Sequence, residues 1–412
     1  MSSELTYKDL SEWVYFLDGK HEQHFYMEVG DVRKFGGVKY EILKIEDNTS
    51  NGMQAMAVAP VKNKIVDTSE IVIAYAGTNP GDNLDIRTDI QTVIVGSKQL
   101  DTSTPIKPAD SLIDGQVITA EKFAEAVKND YPDAVMTTTG HSLGEFLALY
   151  VAAENGWKNV GFNGPDPYKI LSDDAKVWVA ENSGMLFNYR NKKDWLLGNH
   201  GGNGTGAEIL IDMDMSVPIK DTLKFESHNL STWEFDEKGR LIIKDTYANK
   251  DARLVQAEKI MYTRMIELAT LAKKLKASGG GLSRSEEVFL NDTEALIAIE
   301  SASNSMKIGL EYVIKVYQDA ILEVEEIWTE GIQRAKLIGT ELSYYEIIDA
   351  LAAGGATKYA IVNKPTAEYQ AKIAKAKQIG ESFNQLATEI KSSIKKVKDT
   401  DEDLARQISQ GV

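Results

Sequence analysis

Up to about residue 245 the chain alternates short β-branched runs with stretches whose apolar residues recur every three or four positions. Val38 to Ile45, Met53 to Val61 and Ile71 to Tyr75 read as strands, and Ala120 to Val127 reads as a helix. The run Ala134 to Thr139 is a further strand, and the helical pattern Glu145 to Ala153 follows it after a few residues. A strand at Val160 to Phe162, a helix around Asp173 to Ala180 and a strand at Met185 to Tyr189 come next. Strands alternating with helices predict an α/β sheet with ligands near the carboxyl ends of its strands.

The pattern changes near residue 246. Eight of the nine prolines and five of the six tryptophans precede that point, and almost everything after it is helical. Lys250 to about Lys276 is one amphipathic stretch, closed by Gly279-Gly280-Gly281. Ser283-x-x-Glu286 is a capping box that opens a very long helix towards Ile338. Along it Leu310, Val313, Val316 and Tyr317, then Val324, Ile327 and Trp328, recur at helical spacing. Tyr344 to Ala352 stops at Gly354-Gly355, and a last helix runs from about Thr366 to Lys398. Two domains are expected, an α/β domain over 1–245 and an all-α domain over 246–412. The helices form either an extended hairpin or bundle with an apolar seam open to partner helices, or a self-contained bundle.

Charge narrows the partners. The net charge of −16 is uneven, with −14 in the first 245 residues and −2 in the rest. An acidic N-terminal part argues against nucleic acid and gives no electrostatic pull towards anionic lipid. The absence of cysteine excludes disulfides, thiolate catalysis and zinc-thiolate sites. No window approaches the roughly 18 uninterrupted apolar residues of a membrane span. The first residues, Met1 to Leu10, lack a basic segment followed by an apolar run, so no ordinary secretory signal is expected.

The chemistry concentrates at Gly140-His141-Ser142-Leu143-Gly144, a G-x-S-x-G element between the Ala134 to Thr139 strand and the Glu145 to Ala153 helix. That context describes a nucleophile elbow, in which the glycines remove the Cβ atoms that block a sharp turn and leave the serine hydroxyl exposed. A plain turn is the alternative. A serine nucleophile needs a base, a group that orients the base, and donors for the oxyanion. Of five histidines, His21 and His24 precede the serine and His141 is locked inside the elbow. His228 is favoured over His200, which lies in the glycine-rich run Gly198 to Gly206. For the acid, Asp194 stands just past the Met185 to Arg190 strand, with Asp166 and Asp174 as rivals. Leu143 supplies one oxyanion N–H, and the end of the Ile71 to Tyr75 strand, at Gly77-Thr78, is the best source of a second.

The pairing of Ile71-Val72-Ile73-Ala74-Tyr75-Ala76-Gly77-Thr78 with Thr137-Thr138-Thr139-Gly140-His141-Ser142-Leu143-Gly144, followed by Asp194 and His228, resembles the class 3 (fungal-type) lipase family. The resemblance covers roughly residues 60 to 235 and implies an α/β hydrolase-type domain. Carried over, Ser142 is the nucleophile, Asp194 and His228 are its partners, and Thr78 and Leu143 are the oxyanion donors. The family's Asp-x-x-x-Asp segment is matched by Asp85 and Asp89. Ala76 stands where the family usually has arginine, and Glu145 where it usually has a small residue. The resemblance implies hydrolysis of a fatty-acyl ester of a membrane glycerolipid such as a phospholipid, with no cofactor and no metal. The alternative is a non-catalytic hydrolase-fold adaptor acting through its helices. The same triad also suits peptidase or thioesterase chemistry.

A class 3 lipase followed by a long helical, LXG-like region resembles type VII-secreted lipase toxins of reversed domain order. That resemblance implies export without a signal peptide, small helical partner proteins on the C-terminal helices, and an immunity protein on the lipase domain. Tyr345-x-x-x-Asp349 matches the secretion motif, a pattern short enough to arise by chance.

Other signals carry less. Gly201 to Gly206 is no phosphate loop, since no strand precedes it and no Lys-Ser/Thr follows. Asp82, Asp85 and Asp89 suit a helix N-terminus better than a cation site. The cluster Lys391 to Lys398 is answered by Asp399, Asp401, Glu402 and Asp403 and reads as a solvated helix end. Leu100 to Pro108 is either a lid or an ordinary crossover loop.

Overall fold

The computed structural model describes residues 2–18, 26–77, 99–100, 113–194, 201–213, 226–279 and 281–409. The chain divides into two units, Met1–Tyr262 and Thr263–Val412. The first is a mixed α/β sheet unit, and long helices make up the second.

The N-terminal helix α1 (Glu4–Trp13) is capped by the Ser3 hydroxyl, which accepts the N–H of Thr6. An antiparallel meander follows, β1 (Val32–Phe35), β2 (Val38–Asn48) and β3 (Met53–Lys62), and β4 (Glu70–Tyr75) pairs antiparallel with β3. From there the pairing turns parallel: β5 (Val135–Gly140), β6 (Lys158–Phe162), β7 (Leu186–Asn191) and β8 (Glu208–Ile211). These strands stand side by side in chain order, with a short strand, Ile65–Val66, off the edge of β3.

Helix α2 (Gln116–Asp130) precedes β5, α3 (Leu143–Asn155) joins β5 to β6, and α4 (Asp173–Asn182) lies between β6 and β7. Parallel strands added in one direction through helical crossovers place those helices on a single face. Ile71, Ile73 and Tyr75 of β4 accordingly share a core with Phe123 of α2, Leu147 of α3 and Val179 of α4. The alternate residues Val72 and Ala74 point the other way, onto Tyr7 and Leu10 of α1, with Trp233 and Ala252 in the same cluster. Because both faces are covered, β3 is buried continuously from Met53 to Pro60 and is apolar there except at Gln54.

Helix α5 (Lys250–Gly279) begins in the first unit and ends in the second. Its start packs on the sheet unit although composition already shifts at residue 246. Asn249 exchanges hydrogen bonds with the main chain of Asp212 at 2.7 and 2.9 Å. The Lys259 ammonium donates to the carbonyls of Ser183 and Gly206, at 2.6 Å each. Burial brings its pKa down to about 8.

In the second unit, α6 (Arg284–Ile338) opens with the Ser283/Glu286 capping box. A second capping box, Ser343/Glu346, starts α7 (Tyr344–Ala353). A π-helical turn at Tyr359–Asn363 leads into α8 (Lys364–Ser409). Two contacts fix the direction of α8 against α6, Leu310 beside Gly380 and the rings of Tyr317 and Tyr369 at 5.7 Å, and Glu325 with Lys358, just before the π-helical turn, at 3.9 Å continues the run. As one number rises the other falls, so the pairing is antiparallel. At 1.5 Å per residue α6 is about 80 Å long. Along the apolar seam Trp328 is buried, whereas Val313, Val316 and Ile327 are exposed. Among the described residues no helix is long and apolar enough to cross a membrane.

Candidate active site

Ser142 stands between β5 and α3 at φ 58° and ψ −126°, a conformation that non-glycine residues rarely adopt. The tight turn explains the flanking glycines. A Cβ on Gly140 would overlap the backbone of Gly144, and one on Gly144 would overlap the Tyr75 carbonyl and the backbone of Ala76 and Gly77. The end of β4 thus lies directly against the elbow. Leu143 is the first residue of α3, where an N–H has no partner within the helix and the helix dipole favours negative charge.

The other two sequence candidates converge on the serine. Asp194 follows β7 in a tight turn, its N–H donating to Asn191 O at 2.9 Å. His228 ends a single 3₁₀ turn, Glu226–His228. The Ser142 hydroxyl lies 2.8 Å from His228 Nε2, and the Asp194 carboxylate lies 2.6 Å from His228 Nδ1. A carboxylate at Nδ1 holds the proton there, which leaves Nε2 as acceptor for the serine hydroxyl. Asp194 and His228 are both buried, so this relay is shielded from solvent. The arrangement can deprotonate Ser142 as it attacks an electrophilic carbon.

The rivals are occupied elsewhere or lie outside the described residues. Asp166 accepts from the N–H groups of Tyr168 and Thr205 and from the Thr205 hydroxyl, so its carboxylate pins the glycine-rich loop. Asp174 is exposed in the first turn of α4. His200, His21, His24, Thr78, Asp82, Asp85, Asp89 and residues 101–108 lie outside the described residues. Among the described residues no three His, Asp or Glu side chains group as metal ligands.

Two buried titratable groups flank the elbow. His141 packs against the His228 ring at 4.8 Å, and its Nε2 donates to the His228 carbonyl at 2.7 Å. Its Nδ1 faces the Tyr15 hydroxyl at 3.0 Å. Burial, reinforced by the neighbouring His228, pushes the His141 pKa down to about 3, so the ring stays neutral. Glu145 is fully buried one turn after Ser142, and its Oε1 accepts from Asn159 Nδ2 at 2.6 Å. Oε2 has no hydrogen-bond partner among the described residues. Room for this side chain comes from Gly161 and Gly164, where any Cβ would overlap it. Burial raises the Glu145 pKa well above the carboxylate range.

No family model and no curated protein matches the chain. Among solved structures it is similar to the native lipase–propeptide complex of Rhizomucor miehei, at 15% identity and a TM-score of 0.28. That alignment covers 46% of this chain and 60% of the other. A deletion mutant of the same complex aligns at 17% identity and a TM-score of 0.24, over 39% of this chain and 50% of the other. The chain thus spans 60% or less of these relatives' length, and at such TM-scores neither likeness bears on its function.

Proposed function

We propose that the first unit is a serine carboxylic ester hydrolase of α/β hydrolase type, acting as a lipase or phospholipase A on membrane glycerolipids. The observation that carries the reading is the chain of hydrogen bonds from Ser142 through His228 to Asp194. Ser142 Oγ bonds to the acyl carbon while His228 Nε2 takes its proton and the Leu143 N–H faces the developing oxyanion. The same proton goes to the departing alcohol as the ester bond breaks. His228 then deprotonates a water, whose oxygen bonds to the acyl carbon; the Ser142 Oγ–acyl bond breaks as His228 Nε2 returns the proton to Oγ, and the fatty acid leaves. The lipid class rests on the motif resemblance.

The test pairs wild type with Ser142→Ala on short p-nitrophenyl esters and on phospholipid vesicles, with lipid mass spectrometry of the products. Loss of the triad serine is expected to lower the rate by several orders of magnitude. Equal rates in the two proteins refute the assignment. A fluorophosphonate probe that leaves Ser142 unlabelled would favour a non-catalytic adaptor instead.

For the second unit we propose a targeting role as in type VII-secreted lipase toxins, with small helical proteins bound along the long helices. Exposed Val316, Leu322 and Ile327 on α6 support this reading. Co-expression with small helical proteins encoded nearby, followed by size-exclusion chromatography, tests it. A monodisperse, partner-free chain counts against it.

A further inference from the structure

His228 sits on one 3₁₀ turn, too short to fix itself through its own hydrogen bonds. Three buried side chains, from just past the end of β5, just past the end of β6 and the last residue of β7, reach its main chain instead. His141 Nε2 donates to the His228 carbonyl at 2.7 Å, Asn163 Nδ2 donates to the same carbonyl at 3.0 Å, and Asn191 Nδ2 donates to the Ser227 carbonyl at 2.9 Å. Asn163 is the central member. Its Oδ1 accepts the Asn191 N–H at 2.9 Å, so one carboxamide ties the strand that leads to Asp194 to the turn that carries His228.

The backbone of Asn163 makes the point sharper. It stands at φ 50°, in the left-handed region that glycine occupies at no cost. Backbone geometry alone therefore favours glycine at this position. What asparagine adds is the carboxamide, with donor and acceptor both used and the residue wholly buried.

We propose that Asn163 is a positioning residue for the base, acting through the His228 carbonyl to hold Nε2 on the Ser142 hydroxyl and Nδ1 on Asp194. The proposal rests on the serine-hydrolase reading. It predicts that the base loses its alignment, but not its chemistry, when the carboxamide is removed. A misplacement of about 1 Å in a catalytic group costs on the order of 10²-fold in rate.

The test compares wild type, Asn163→Gly and Asn163→Asp in the full chain. Asn163→Gly keeps the left-handed backbone and is the variant expected to fold whatever the fate of Asn163→Asp, whose acceptor oxygens face the carbonyl. Ester hydrolysis well below the melting temperature is expected to show kcat down by about 10- to 100-fold with KM within about twofold. The far-downfield proton resonance of the Asp194–His228 hydrogen bond is expected to shift or broaden in Asn163→Gly, which a loss of bulk stability alone would not cause. Wild-type kcat and an unchanged resonance in that variant overturn the proposal. If the wild type hydrolyses no ester and takes no fluorophosphonate, the hydrolase reading fails. The resonance needs no turnover, so even then it reports whether Asn163 orients His228.

Discussion

Glu145 occupies a position beneath the elbow where a small side chain is expected, and the structure accommodates it by removing bulk elsewhere. Gly161 and Gly164 vacate the volume, and Asn159 supplies one donor. Burial opposes ionisation, so the folded protein holds a proton there that the unfolded chain releases above about 4.5. With more protons bound in the folded state, this group's contribution to stability falls as pH rises above the ordinary carboxylate range. Glu145→Gln removes that dependence at nearly constant volume. Its melting temperature relative to wild type is therefore expected to rise between pH 5 and pH 8. A gap that stays constant over this window would show that Glu145 does not titrate as buried.

Among the elements, α5 has two roles along its length. Its first turns belong to the sheet unit through Ala252 and Lys259, and Asn249 just before it does the same. Replacing Lys259 with methionine strands the carbonyls of Ser183 and Gly206, a loss of about 1–3 kcal/mol. The folded lysine also gives up its proton near pH 8, below the ordinary 10.5. Between these values the unfolded chain binds more protons, so this group's contribution to stability rises with pH. Denaturant titrations at pH 7 and 9.5 are expected to show that rise in wild type relative to Lys259→Met. A parallel pH response in the two proteins would place Lys259 in solvent.

At the scale of the whole molecule, the sheet unit ends at Tyr262, whereas the compositional shift falls near residue 246. On the proposed hydrolase reading, a chain cut after Gly279 is expected to fold and to hydrolyse p-nitrophenyl esters as the full chain does. One cut after Asp245 loses the Asn249 bonds and the Lys259 anchor, and is expected to be inactive with a weakened near-UV circular dichroism signal. Full activity in the shorter chain would show that the sheet unit does not need α5. The reason is local: amphipathic periodicity marks α5 as a helix but does not say which surface covers its apolar stripe.

Much of the architecture is determined by the sequence alone, because it depends on near neighbours. Period-two and period-3.6 patterns give most strands and helices, and the Ser283/Glu286 box sets the start of α6. Gly140 is specified within the elbow itself, since a Cβ there would meet Gly144 and Glu145 a few residues on, whereas Gly144 answers to the distant end of β4. By contrast, β8 is four residues long, too short for a recognisable alternation. The approach of His228 to Ser142 spans 86 residues of chain. Chain order and residue type identified His228 and Asp194 as candidates, but only the packing of β5 to β7 brings them to hydrogen-bonding distance of each other and of the serine. The grip of Asn163 on His228 is invisible locally, because an asparagine after a strand reads as an ordinary turn residue. Tertiary structure decided these features because side-chain hydrogen bonds between distant segments depend on sheet order and register, which no local pattern encodes.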